Sequence, residues 1–342
     1  MTMLDTFNSD AFNVVSLSTA LDKYPYAPNW LGRLGIFQKK GISTKTAVIE
    51  DRQGILSLVP VSARGTSVNT ENRPNRTAQP FLVPHLSLTS SLMAEDVQDV
   101  RAFGTENVVE TLAQKVMDVM NGLRMDIEAT KEYWRYGAIK GLVLDETGST
   151  IYNYFTKFGT TEQTVDFVLA TTTTNIKAAC QAVVDAMHDA LGGTMITGIV
   201  GLAGKDWFDD FIGHTEVKAA YDRWNDGQML RTLQSGPEFF TGPDGQAGFG
   251  FAGIEFVRSR ASLGGTPWIA DDECRFFPIG VPDLFQEVNA PASYVETVNT
   301  TGMEYYAKQE RMKFDVGIDV QVESNPLIIA TRPRCLIKGT QS

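Results

Sequence analysis

The chain has 342 residues and is poor in cysteine, in histidine and in positive charge. Its three cysteines, Cys180, Cys274 and Cys335, are odd in number and far apart. No disulfide framework or zinc spacing can be read from them, and a reducing compartment is the simplest expectation. The three histidines, His85, His188 and His214, share no HxxxH or HxxE spacing, so structural or surface roles are expected of them. Lys and Arg number 30 against 41 Asp and Glu, a net charge of −11. Tight direct binding to nucleic acid is not expected, because phosphate contacts need clustered cations. No run of about 18 apolar residues occurs, so no membrane span is expected. The opening MTMLDTFNSDAF carries an early Asp5 and no basic segment, and is not expected to be a secretory signal.

What the chain does have is one long amphipathic stretch. Val108, Val109, Leu112, Val116, Met120, Leu123, Ile127 and Trp134 recur mostly at steps of three or four, which lines one face of a helix over 105–136. Such a helix is about 48 Å long at about 1.5 Å per residue. Thr105 is the expected N-cap and Glu106 places negative charge at the positive helix end. Gly137 is the expected stop, with Lys131 and Arg135 in the last turns. Gly122 costs about 1 kcal/mol against alanine. Length alone leaves open an ordinary core helix of a large domain.

The segment before the helix differs. Trp30, Leu31, Leu34, Ile36 and Phe37 form an apolar cluster after the proline-broken 24–28, an expected anchor for an arm. Residues 44–50 and 54–61 read as strands around a turn at 51–54. Residues 62–80, SARGTSVNTENRPNRTAQP, carry almost no large apolar side chain but contain Arg64, Arg73 and Arg76. They cannot bury enough surface to order alone. With a returning strand over 81–88, the whole of 44–88 reads as a long hairpin with a polar, basic tip. A disordered surface loop is the other reading.

Beyond the helix, 141–145 and 151–158 read as a hairpin, 164–170 as a strand, and 175–191 as a second amphipathic helix ended by Gly192-Gly193. Residues 195–280 alternate short strands (195–202, 254–260), aromatic-rich helices (207–212, 216–224) and a Gly/Pro loop (237–248), and read as an α/β lobe inserted into another domain. Residues 281–342 return to strands, including 314–322 and 327–337.

No motif carries catalysis. Gly248 to Gly253 matches the dinucleotide fingerprint in letters, but a strand follows it where a helix is required, so a glycine-rich hairpin is expected. Gly198 to Lys205 has one residue too many for a phosphate loop, and Asp206 replaces the needed hydroxyl. The acidic clusters Asp206, Asp209, Asp210 and Asp271, Asp272, Glu273 lack the spacing of a calcium loop and are expected to be solvated surface. No catalytic residue, cofactor or metal site is assigned.

Five stretches together resemble the lambda-type major capsid proteins of tailed bacteriophages: Tyr24 to Phe37 (YPYAPNWLGRLGIF), Gly54 to Leu88, Glu106 to Gly137, Gly141 to Phe158, and the ending Ala307 to Lys338. The middle lobe, 195–280, matches least. The resemblance implies the α+β fold of tailed-phage and herpesvirus major capsid proteins. It implies an N-terminal arm over 1–43, an extended E-loop hairpin over 44–90, a peripheral domain over 91–194 with the spine helix 105–136, an axial domain over 195–280, and a second peripheral part with C-terminal strands over 281–342. Arg64, Arg73 and Arg76 would then be inter-subunit contacts at the E-loop tip. Trp30, Leu34 and Phe37 would anchor the arm, and Val109, Leu112, Val116, Met120, Leu123, Ile127 and Trp134 would pack the spine. It further implies a non-enzymatic major capsid protein that assembles with itself as hexamers and pentamers into an icosahedral shell. The shell would enclose double-stranded DNA without sequence-specific binding, with scaffold, portal and decoration proteins as partners and no membrane. Such a protein is assembled in the host cytoplasm and resides in the virion. An encapsulin-like nanocompartment shell, or a nucleotide-dependent soluble enzyme using the 195–280 lobe, are the alternatives.

Overall fold

The computed structural model describes residues 30–52, 76–96, 112–218, 220–222, 248–263 and 265–341. The expectations placed on residues 1–29, on 54–61, on the polar stretch up to residue 75, on Thr105, Glu106, Val108 and Val109, and on 237–247 lie outside the described residues. In chain order the elements are α1 (Trp30–Leu34), β1 (Gln38–Gly41), β2 (Thr46–Arg52), β3 (Arg76–Leu82), β4 (Leu86–Met93), α2 (Leu112–Lys140), β5 (Leu142–Leu144), β6 (Thr150–Asn153), α3 (Tyr154–Lys157), β7 (Gln163–Asp166), α4 (Ile176–Leu191), β8 (Gly198–Ala203) and α5 (Lys205–Gly213). There follow β9 (Phe249–Phe251), β10 (Ile254–Arg258), β11 (Ser262–Leu263), β12 (Thr266–Pro267), β13 (Glu273–Ile279), β14 (Phe285–Asn289), β15 (Tyr306–Arg311), β16 (Gly317–Ser324), β17 (Pro326–Ala330) and β18 (Ile337–Thr340).

The chain forms two compact units. The described parts of Met1–Ala47, Phe81–Trp134 and Gln286–Ile329 make one, and those of Val48–Pro80, Arg135–Phe285 and Ala330–Ser342 make the other. In the first unit, β15, β16 and β4 form an antiparallel sheet with Val320 opposite Gln309 on one side and Ser90 on the other. Ile318, Val320 and Val322 alternate along β16 onto one face, as the period-two geometry of a strand requires. Val116, Met120 and Ile127 of α2 pack on that face with Leu92 and Tyr305. A second sheet orders β1, β14 and β17, with β1 parallel to β14. Its end is closed by a tight crossing: Ile42 N–H donates to the Asn289 carbonyl (2.9 Å) and Gly302 N–H donates to the Ile42 carbonyl (2.9 Å). A Cβ on Gly302 would strike the Asn289 carbonyl oxygen and lie 2.6 Å from Ala290 C, so only glycine fits.

The second unit is built on a six-stranded mixed sheet of order β7-β18-β13-β8-β10-β9. The pairs β18–β7 and β10–β8 are parallel and the others antiparallel. Its core is aromatic: Trp207 and Phe211 of α5 stack at 5.0 Å, Phe211 meets Phe256 at 4.3 Å, and Phe167 meets Trp207 edge-on at 5.1 Å. Ile176, Cys180, Val183 and Met187 of α4 join the same core. Asn175 caps α4 by accepting from Ala178 N–H, and Gly192 ends it in the left-handed conformation at φ +57.

Helix α2 differs from the expected span at its C-terminal end. Gly137 is helical and lies against β5, where a Cβ would come within 3.0 Å of the Leu142 carbonyl oxygen and Val143 Cα. It is small for packing, not for stopping. The stop is Gly141, at φ +73, whose N–H donates to the Ala138 carbonyl. Several strand expectations also change: the strand read over 164–170 ends at Asp166, and that read over 314–322 starts only at Gly317, after a turn. The strand read over 151–158 ends at Asn153, whose side chain caps the short helix α3. The strand read over 327–337 is broken by a turn at Pro333–Cys335, since proline cannot donate to a ladder. The strand read over 81–88 is interrupted at Val83–His85, around Pro84, and becomes β3 and β4.

Candidate functional site

Beyond Leu123 the inner face of α2 stops being purely apolar. Arg124, Glu128, Lys131, Glu132 and Arg135 are all buried. They fall on the continuation of the Val116, Met120, Ile127 stripe, because steps of four carry it from 120 to 124 and 128 and from 127 to 131. The Lys131 ammonium, itself 0% exposed, lies 2.6 Å from Glu304 Oε1, 2.7 Å from the equally buried Glu287 Oε1 and 3.7 Å from Glu128 Oε2. The Glu287 contact is an ion pair by distance without the alignment of a hydrogen bond. Glu304 is shared with Lys39 of β1 at 2.6 Å. Tyr305 O–H donates to Glu128, and the Tyr305 ring takes Lys131 at 4.7 Å and the Arg124 guanidinium at 5.0 Å.

One ammonium therefore holds three carboxylates carried by α2, β14 and the segment before β15. Burial pulls the Lys131 ammonium down, but Glu287, Tyr305, Glu128 and Glu304 outweigh it and hold the group above its ordinary value. Burial pushes the Glu304 carboxyl up, yet Lys131 and Lys39 together leave it below its usual value. Burial drives the Tyr305 phenol up, so it stays a donor. One turn along, Glu132 accepts from Leu31 N–H (2.7 Å) and Gly32 N–H (3.2 Å), satisfying the open end of α1. Charge fixed in this way sets position.

Of the expected spine residues, Val116, Met120, Ile127 and Trp134 are buried and Leu123 packs partly buried on the same core. Leu112 opens α2 and Val109 lies outside the described residues. Of the expected arm anchor, Phe37 is buried while Trp30 and Leu34 are partly so. The deeper anchor, Leu31, is fully buried. Of the expected tip arginines, Arg64 and Arg73 lie outside the described residues, and Arg76 is the first residue of β3. β2 and β3 form a two-stranded sheet that exposes the large apolar side chains Val48 and Leu82.

The remaining sequence motifs resolve into structure. Residues 249–258 form an antiparallel hairpin whose two-residue turn, Ala252-Gly253, has φ +50 and +85. Gly198 to Ala203 is the central strand β8. Buried His214 accepts from Glu216 N–H at Nδ1 (3.3 Å) and reaches the Thr171 carbonyl with Nε2 (3.1 Å), bracing a loop. Asp209 pairs with Arg258 at 2.9 Å, and Glu273 with Arg275 at 2.8 Å and Lys338 at 3.1 Å. Among the described residues no group of three or more His, Cys, Asp or Glu side chains is arranged to hold a metal ion, and no helix is long and apolar enough to cross a membrane. Cys180, Cys274 and Cys335 are buried free thiols, and burial pushes Cys180 and Cys335 up to about 12.

The family described as phage major capsid protein E matches the chain over residues 13–341. The chain is 28% identical over 322 residues to the major capsid protein of Pseudomonas phage KPP10, covering 90% of each. It is 23% identical over 366 residues to the major capsid protein of Salmonella phage Felix O1, covering 98% of each. Among solved structures, the prophage capsid protein from E. coli CFT073 superposes with a TM-score of 0.57 at 12% identity, covering 96% of this chain and 99% of that one.

Proposed function

The chain belongs to the phage major capsid protein E family and has the α+β fold of phage capsid proteins; from that premise we propose how it builds a shell. It is a phage capsid shell protein and associates with copies of itself. In our reading it closes into hexamers and pentamers, head to tail, and these complete an icosahedral shell around double-stranded DNA. Scaffold, portal and decoration proteins are its further partners, and assembly takes place in the host cytoplasm. It performs no catalysis and needs no cofactor. The observation that carries this reading is a family match running almost end to end.

Residues 1–43 then serve as the arm, 44–90 as the E-loop, 91–194 and 281–342 as the peripheral domain, and 195–280 as the axial domain. A two-stranded hairpin is marginal alone in water, and β2 and β3 expose Val48 and Leu82. That supports an arm whose apolar side chains find their cover on another subunit. Arg64, Arg73 and Arg76 would pair there with acidic surface of a chain whose net charge is −11. The same net charge keeps the genome from adhering to the wall.

Negative-stain microscopy of the purified chain tests the class: closed angular shells are expected, and a strictly monomeric or dimeric population refutes it. Deleting residues 62–80 should leave the subunit folded and abolish stable shells; shells of normal stability would refute the arm assignment. Charge reversal at Arg73 and Arg76 should weaken assembly in a salt-dependent way, and a salt-independent loss would point instead to misfolding.

A further inference from the structure

The chain carries a net charge of −11, yet residues 30–49 hold four cations, Arg33, Lys39, Lys40 and Lys45, and no Asp or Glu. The cations run along α1, the strand β1 and the turn that follows it. In its three-stranded sheet β1 pairs only with β14, so among the described residues its outer edge is open. Lys39 is held by Glu304 at 2.6 Å, and the period-two geometry of a strand sends Lys40 to the opposite face. Arg33, Lys40 and Lys45 are exposed, and none has an ion-pair partner among the described residues. Lysine on an edge strand guards against strand addition, and a cation in the last turn suits the end of α1. Neither rule reaches Lys45, nor the lack of any anion in the whole stretch. Between Trp30 and Ala47 no large apolar side chain is exposed: Leu31 and Phe37 are buried, and Trp30, Leu34 and Ile36 are partly so. The uncharged side chains that reach solvent beside the cations are polar: Gln38, Ser43, Thr44 and Thr46.

We propose that this strip is a contact for the sugar–phosphate backbone of double-stranded DNA. Arg33, Lys40 and Lys45 each neutralise a phosphate, without reading base sequence. The composition of the strip selects this occupant. Phosphate contacts are made by Arg and Lys together with Ser, Thr and Gln, which is what the strip displays. A protein partner would need an apolar or aromatic anchor at the centre of the contact, and the strip exposes none. Lys40 and Lys45 are at most about 18 Å apart along the chain, and a duplex carries one charge per about 1.7 Å, so both reach phosphates of one duplex. The acidic remainder of the subunit repels DNA, which confines contact to the strip and keeps it weak. This contact rests on the reading of the chain as a shell subunit around DNA and names where the duplex touches it.

Salt-dependent binding and lysine footprinting on the full chain test it. Unassembled subunits are titrated with two labelled duplexes of unrelated sequence, followed by fluorescence anisotropy, from about 20 to about 200 mM salt. Both duplexes should bind alike, with log K falling against log salt at a slope of about −2.7, or about −0.9 for each of three phosphates. Arg33→Gln, Lys40→Gln and Lys45→Gln should each flatten the slope by about 0.9 and weaken both duplexes equally, and the triple variant should not bind. Lys177→Gln, at an exposed site on α4, should leave affinity and slope unchanged. Acetylation of the free and DNA-bound chain, mapped by mass spectrometry, should show Lys40 and Lys45 protected by the duplex and Lys177 unprotected.

No binding at about 20 mM salt, or a slope that the three substitutions leave unchanged, overturns the DNA contact while leaving the shell reading intact. So does a duplex that protects Lys177 as well as Lys40 and Lys45, because that is contact over the whole surface. Variants that bind DNA like the wild-type chain but no longer form particles would put an acidic surface of a second copy on the strip, and overturn the DNA contact as well. A wild-type chain that yields no particles overturns the shell reading itself, and with it the packaged duplex as the occupant.

Discussion

Replacing Lys131 with methionine keeps an unbranched side chain one atom shorter and removes the ammonium with its N–H donors. Lys131 and Glu287 are both fully buried and 2.7 Å apart. At an effective dielectric of about 20, that separation corresponds to about 6 kcal/mol of Coulomb attraction, set against a desolvation cost of several kcal/mol per ion. The pair is thus near balance when intact and far from balance when halved. Lys131→Met strands Glu287 without the ammonium beside it, next to Glu304 and Glu128. The expected loss is about 3–5 kcal/mol, the usual cost of breaking a buried pair from one side. Glu287→Gln is milder, at about 1–2 kcal/mol, because Glu304 at 2.6 Å still pairs with Lys131.

The double variant separates a pair from two independent contacts. With both charges gone, no buried carboxylate at position 287 is left to penalise the loss of the lysine. Lys131→Met/Glu287→Gln should therefore cost less than the sum of the single changes by about 1–3 kcal/mol. Urea unfolding of the unassembled subunit, followed by far-ultraviolet circular dichroism, gives the four stabilities of the cycle. Strict additivity, or a Lys131→Met variant as stable as wild type, would refute the account of Lys131 as the cation holding these carboxylates.

Glu304 gives a pH test of the same cluster. Its carboxyl titrates below its ordinary 4.5, so its contribution is fully present above 4.5 and is lost as pH falls through the lower folded value. The thermal midpoint of Glu304→Gln should lie below that of wild type at about pH 6, with the gap closing as pH falls below 4.5; a gap that widens in acid contradicts the assignment. Two glycines predict opposite signs. Gly122→Ala meets nothing within 4 Å on an exposed helix face and should stabilise by about 1 kcal/mol. Gly302→Ala drives a methyl into the Asn289 carbonyl and should cost about 2 kcal/mol or more, read from the same urea unfolding.

What the sequence disclosed depended on how local the cause was. Asn175 and Gly192 bracket α4, and the strand-forming Ile254 to Val257 after Gly253 marks a hairpin instead of a nucleotide loop. Each signal sits within a few residues of what it determines. The end of α2 is ambiguous in sequence because Gly137 and Gly141 are both plausible stops in one dimension. What separates them is β5 and Phe155: β5 packs against Gly137, and a Cβ on Gly141 would lie 2.8 Å from Phe155 Cζ. Pro84 and Pro333 are local breakers, and each divides its apolar run in the structure.

The buried ion cluster and the exposed tip were hidden for related reasons. Lys131 falls on the apolar stripe four residues after Ile127, which is a legible oddity. Its meaning depends on Glu304, 173 positions away, and no periodicity reports a partner at that separation. Phe314, 96% exposed at the turn between β15 and β16, is harder still to read. Hydrophobicity alone assigns such a side chain to the core. Only the backbone, left-handed at Phe314 and Asp315 with both side chains in solvent, marks it as surface. In a shell subunit the order and length of elements are set within one chain and can be read there. The contacts that make the shell are shared between chains, and a sequence shows them only as residues that break its own folding rules.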